Sequence, residues 1–291
     1  MIRQEVLQQA YLEACALDVE SFKPGNVSVY SSGHGMCADD FYRSAKVSAP
    51  FVCDPSLPLG KRIYLAVEAT HREVGCNTNL GIILLAAPLI KAVQEIATTS
   101  VRERLRRVLI GSTKEDAAWV YRAIRLANPG GLGRVEAQDV CRPPSVTLFE
   151  AMQLAKDYDR IAFNYAFSYR DIYELAISSY YDAVSRWEDE RLATVMIFVA
   201  LLRRIPDTHV GRKFGQRYTE MIQNRMAELT RELSQATAME QVLPQIREVD
   251  AEFKQVGINP GTTADLTVAT LLAVRLEKLA GCLGQAESKV P

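Results

Sequence analysis

Gln4-Glu5-Val6-Leu7-Gln8-Gln9-Ala10-Tyr11-Leu12-Glu13-Ala14-Cys15-Ala16-Leu17 sets apolar side chains at Val6, Leu7, Ala10, Tyr11, Ala14 and Leu17. Steps of three and four place these residues on one stripe of an α-helix. The same recurrence runs through residues 2–20 and returns near 59–74, 79–98, 113–127, 147–164, 168–186, 190–205, 211–237, 240–256 and 262–281. Clean period-two alternation, the mark of a half-buried strand, does not occur. The pattern predicts an all-α protein, a single multi-helix domain of about ten or more helices over residues 1–291.

The chain of 291 residues carries 34 basic and 35 acidic side chains, a net charge of −1. That balance argues against nucleic acid as a partner, because such binders show a basic excess. The longest apolar stretches, Ile82 to Val93 (interrupted by Pro88 and Lys91) and Ala193 to Leu202, fall well short of the ~20 residues of a membrane span. The charged N-terminus has no signal-peptide pattern, so a cytoplasmic protein is expected. Cys15, Cys37, Cys53, Cys76, Cys141 and Cys282 include no C-x-x-C pair, and most are expected to be reduced core residues.

Glycine and proline cluster between the helical segments, and residues 22–58 are the one long stretch of weak helical periodicity. Four of these edges combine glycine with polar or charged residues beside an apolar helix. They are Lys23-Pro24-Gly25-Asn26 with Gly33-His34-Gly35, ahead of a helix start at Asp39-Asp40, Gly75-Cys76-Asn77-Thr78-Asn79-Leu80-Gly81, Pro206-Asp207-Thr208-His209-Val210-Gly211-Arg212-Lys213-Phe214-Gly215, and Asn259-Pro260-Gly261-Thr262-Thr263-Ala264-Asp265. Each reads equally as a turn or a helix cap. Glycine, however, lets a backbone approach a ligand, and unpaired N–H groups at a helix start suit phosphate. The edges are therefore expected to converge on a nucleotide pocket. His34, His71 and His209 lie in or next to them, which leaves a three-histidine metal site as a minor alternative to magnesium carried in with a nucleotide. The tyrosines at 158, 165, 169, 173, 180 and 181 read as packing rather than as a base-stacking platform.

In this order, Lys23-Pro24-Gly25, Asn77-Thr78-Asn79-Leu80-Gly81, Asp207 with Arg212-Lys213 and Gly215, and Asn259-Pro260-Gly261 with Ala264-Asp265-Leu266 resemble the triphosphoribosyl-dephospho-CoA synthase family over nearly the whole chain. The resemblance implies an all-helical enzyme that releases adenine from ribose C1′ of ATP. It passes the triphosphoribosyl group to a ribose hydroxyl of 3′-dephospho-CoA. Independently of the resemblance, Mg2+ is expected with the ATP. The family signature G-V-N-T-H-K-G reads Gly75-Cys76-Asn77-Thr78-Asn79-Leu80-Gly81 here, so Asn79 and Leu80 stand in place of histidine and lysine. Ala127-Asn128-Pro129-Gly130-Gly131-Leu132-Gly133 and Gln138-Asp139-Val140 look like a divergent branch of that family.

Chemistry at C1′ requires a proton for the leaving base, a base for the attacking hydroxyl and cations for the phosphates. Glu68, Asp207 and Asp265 are the candidates for general base or magnesium ligand, and His34 or His209 for the acid. Lys23, Arg212 and Lys213 are the candidates for phosphate, with Gly25 and Gly261 at the backbone approach and Asn77 and Asn79 for orientation. Two alternatives stay open: the same fold with another acceptor, in pterin-type cofactor biosynthesis, and a helical nucleotide-binding or scaffold protein without turnover.

Overall fold

In the computed structural model the backbone is described for residues 2–95, 98–130 and 138–287, with the side chains of 239 and 282–287 left aside. Among these described residues fourteen α-helices form: α1 (Gln4–Glu20), α2 (Ala38–Val52), α3 (Leu59–Val74), α4 (Leu80–Gln94), α5 (Val101–Ile110), α6 (Lys114–Ala127), α7 (Leu148–Ala155), α8 (Arg160–Ala166), α9 (Ile177–Trp187), α10 (Glu190–Arg204), α11 (Thr208–Phe214), α12 (Thr219–Gln235), α13 (Leu243–Gln255) and α14 (Gly261–Glu287). Among the described residues no strand forms; two isolated bridges, Ser28 to Ser31 and Gly33 to Met36, pinch the loop before α2.

Periodicity predicted the helical class and most elements, but local chemistry divided several of them. The expected helix over 147–164 is two, because Asp159 leaves the helix and accepts a hydrogen bond from Ala162 N at 2.9 Å, starting α8. The stretch 211–237 breaks at Gly215, where φ is +62°. A π-helical turn, Ile172–Ala176, precedes α9. Helix α2 occupies part of the weakly periodic 22–58 region; its reciprocal cap brings the Asp40 carboxylate to Cys37 N at 2.8 Å. Helix α5 escaped the reading because four arginines and a glutamate surround its buried Val101, Leu105, Val108 and Leu109.

Helix α4 is the axis of the main core and is buried on every side except at Lys91. It packs against α14, α5 and α3. Pro88 lies inside it and, lacking an N–H, leaves the Leu84 carbonyl without its helical donor. Tyr165 supplies that donor at 2.6 Å, and Tyr169 reaches the next carbonyl, Leu85, at 2.9 Å. These buried tyrosines are thus packing residues with a specific task. Helix α10 is apolar all round because it joins two cores. Ala193, Ile197 and Leu201 face the first; Leu192, Val195, Phe198, Val199 and Leu202 face a second, formed with α12, α13 and Phe22.

Cys15 and Cys53 are buried, but Cys37 and Cys141 are exposed, correcting the expectation of core cysteines; Cys37 caps α2 and Cys141 lies in the loop before α7. Cys282 lies outside the described side chains. No helix among the described residues is long and apolar enough to cross a membrane.

Candidate active site

A cavity of about 760 Å³ opens between α1, α4, α6, α7, α8, α11 and α14. One part is apolar, walled by Val120 and Ile124 of α6, Leu148 and Met152 of α7, and Ile161 of α8. The other is polar, with Asp18, Asn77, Asp159, Asp207, His209 and Asp265. All four glycine-containing edges reach this one space: the first through Asn26, the second through Asn77, Thr78, Leu80 and Gly81, the third through Asp207, His209, Arg212 and Gly215, and the fourth through Asn259, Gly261, Thr262 and Asp265. Gly131, Leu132 and Gly133 lie outside the described residues.

Asp207 ties two of the edges together. Its Oδ1 accepts from Val210 N at 3.0 Å, capping α11. Its Oδ2 accepts from the backbone N–H and hydroxyl of Thr263, at 2.8 and 2.7 Å, in the first turn of α14. Gly25 ties another pair. Its φ is +80°, its N–H donates to Asp250 at 2.8 Å, and an added Cβ would lie 2.9 Å from Pro260 Cδ.

Asp265 occupies a space that Gly81 leaves open. A Cβ at position 81 would stand 2.0 Å from the Asp265 Oδ2 atom. Among the described residues no hydrogen bond reaches this carboxylate. Burial pushes its carboxyl well above the ordinary value, and the charges of Asp207, Asp18 and Asp159 reinforce the rise against Arg212. His209, whose ring lies against Gly261, is shifted down by burial, with Arg212, His34 and Lys213 adding to the effect and Asp207 opposing it.

The remaining expected site residues separate. Asn77 lines the cavity and its Oδ1 accepts from Leu80 N at 3.1 Å, and Gly261 and Arg212 also line it. Arg212 pairs with Asp159 at 3.0 Å and its Nε–H has no partner. Lys213 turns outward to the Gly257 carbonyl at 3.2 Å. Lys23 is fully buried beside Asp18, not at the cavity wall, so it cannot reach a phosphate there. Asn79 is buried under the cavity against Ser48, whereas Leu80 lines it. His34 is exposed, with Nε2 2.9 Å from the Gly25 carbonyl oxygen. Glu68 belongs to α3 and is held by Tyr64 at 2.9 Å and Arg72 at 3.2 Å, away from the cavity lining. Glu68, Asp207 and Asp265 therefore do not assemble as a magnesium site, and among the described residues no group of three or more His, Cys, Asp or Glu could hold a metal ion.

Asp18 and Asp159 were not singled out in the sequence. An acid on the buried stripe of α1, five residues before a lysine, was the available sign of the first. The second is marked only by the break between α7 and α8.

The helical arrangement is that of a known class of structure. A crystal structure from Archaeoglobus fulgidus, described as a candidate triphosphoribosyl-dephospho-CoA synthase, superposes with a TM-score of 0.59 at 24% identity, covering 79% of this chain and 96% of that chain. At that identity the likeness is one of fold. The family model for ATP:dephospho-CoA triphosphoribosyl transferase matches residues 4–282, and the chain belongs to that family. It is accordingly an ATP-using transferase of cofactor biosynthesis. No curated protein matches the chain significantly.

Proposed function

We propose that the cavity is the site where ATP and dephospho-CoA meet and where the triphosphoribosyl group changes hands. The observation that carries this reading is the meeting of all four glycine edges, remote in sequence, around one space. Its volume lies in the range of about 300–1,000 Å³ typical of small-molecule sites. The polar part takes the triphosphoribose: Arg212 offers a guanidinium with an unused donor, and the first turns of α4 and α14 both end there. The apolar part, between α6, α7 and α8, suits a flat base.

The described residues do not form a protein cage for magnesium. The ion belongs with the phosphates of the nucleotide, as is usual for Mg2+.

Incubation with ATP, Mg2+ and 3′-dephospho-CoA, followed by chromatography, tests the reading. Adenine and a triphosphoribosylated acceptor in equal amounts are expected. Intact ATP after prolonged incubation would sink it.

A further inference from the structure

Displacement at ribose C1′ asks for two opposite proton transfers, and the cavity holds two carboxylates that differ in their charged neighbours, one paired with a lysine and one not. Asp18, at the end of α1, is only 5% exposed and lines the cavity. Among the described residues its one ion-pair partner is Lys23, whose Nζ stands 3.2 Å from Oδ1. That ammonium also donates to the Asp18 and Ser21 carbonyls, and none of the lysine is exposed. Among the described residues Asp265 has neither an ion-pair partner nor a hydrogen bond, and its Oδ2 lies over Gly81. The charged and titratable groups around it are Asp18 from α1, Asp159 at the start of α8, and Asp207, His209 and Arg212 from the α11 segment. The single guanidinium among them already pairs with Asp159.

We propose that Asp265 is the acid that protonates adenine as it leaves C1′, and that Asp18, held in place by Lys23, is the base that receives the proton of the attacking hydroxyl. The assignment rests on the transferase reading above. The C1′–N9 bond breaks with its electron pair passing to adenine, which takes the Asp265 proton. The hydroxyl oxygen forms the new bond to C1′ and gives its proton to Asp18. Transfer of one proton through water from Asp18 to Asp265 restores the starting state, so protons and charge balance over the cycle.

The environments support this division. Burial raises both carboxyls, but on Asp265 like charge adds to the rise, whereas on Asp18 the ion pair with Lys23 draws it back, so Asp265 is the better proton donor of the two and Asp18 the better acceptor. The histidines fit the acid role less well: His34 does not line the cavity, and burial holds His209 in the neutral form.

The test compares ATP with its N7-methylated analogue, whose base departs neutral and needs no proton. Asp265→Asn has no hydrogen bond to lose and should fold, with nucleotide affinity by calorimetry as the control. It should lower kcat with ATP by 100-fold or more, and by less than tenfold with the methylated donor. Asp18→Asn with Lys23→Met, changed together so that no buried charge is stranded, should lose 100-fold or more with both donors. Lys23→Met alone should move the acidic limb of the kcat profile to higher pH, a shift that a merely structural role would not produce. Equal losses on the two donors for Asp265→Asn, or full activity of the double variant, would overturn the assignment while leaving the transferase reading intact. A wild-type protein that releases no adenine would overturn both.

Discussion

Arg212 and Lys213 are adjacent in sequence but serve different surroundings. The helical step of about 100° per residue sends the first to the cavity wall and the second to solvent and the Gly257 carbonyl. Arg212→Ala should weaken ATP binding at least tenfold, about 1.4 kcal/mol, while Lys213→Ala leaves it unchanged in calorimetry. Equal effects would contradict the geometry. Asp207 shows the converse: a carboxylate that reads as a catalyst in the sequence has both oxygens committed to the starts of α11 and α14. Asp207→Ala should cost about 2–4 kcal/mol in urea unfolding, from a lost cap and lost charge-assisted hydrogen bonds. A cost below about 1 kcal/mol would show that the two helix starts do not depend on it.

At the scale of the element, the informative case is α4. Its apolar run and its proline were plain in the sequence, but the repair of the Leu84 carbonyl by Tyr165 was not, since that contact spans 81 positions. Tyr165→Phe should destabilise by about 1–3 kcal/mol through an unsatisfied buried carbonyl. In a Pro88→Ala background the restored N–H takes over, and the same change should cost less. Additive effects in that double-mutant cycle would refute the coupling. Helix class was legible wherever one apolar stripe met one core. It blurred at α5, whose stripe is diluted by charge, and at the joints before α8 and after α11, where a single cap residue decides the boundary.

For the whole molecule, Asp265 links stability to pH. Its native carboxyl lies above the ordinary value of 3.8, so between these two values the folded chain holds more protons than the unfolded one. The contribution of this group to stability is therefore greatest near pH ~4 and below and is lost as pH rises through the native value. Urea unfolding of wild type and Asp265→Asn across about pH 4 to 8 should show the wild type losing stability relative to the variant as pH rises. A constant difference would mean that the buried carboxyl is not shifted.

By itself the sequence determined the helical class, through apolar periods of three and four, and marked the four glycine edges, because glycine and proline punctuate the chain locally. Both signals are short-range, and a linear reading recovers them. The tertiary structure alone decided which charges face the cavity. Lys23 is turned inward to Asp18, Glu68 is carried off on α3, and Asp18 is brought to the same cavity as Asp265, 247 positions away. Side-chain charge depends on burial and on neighbours supplied by distant helices, and packing, rather than spacing along the chain, sets both.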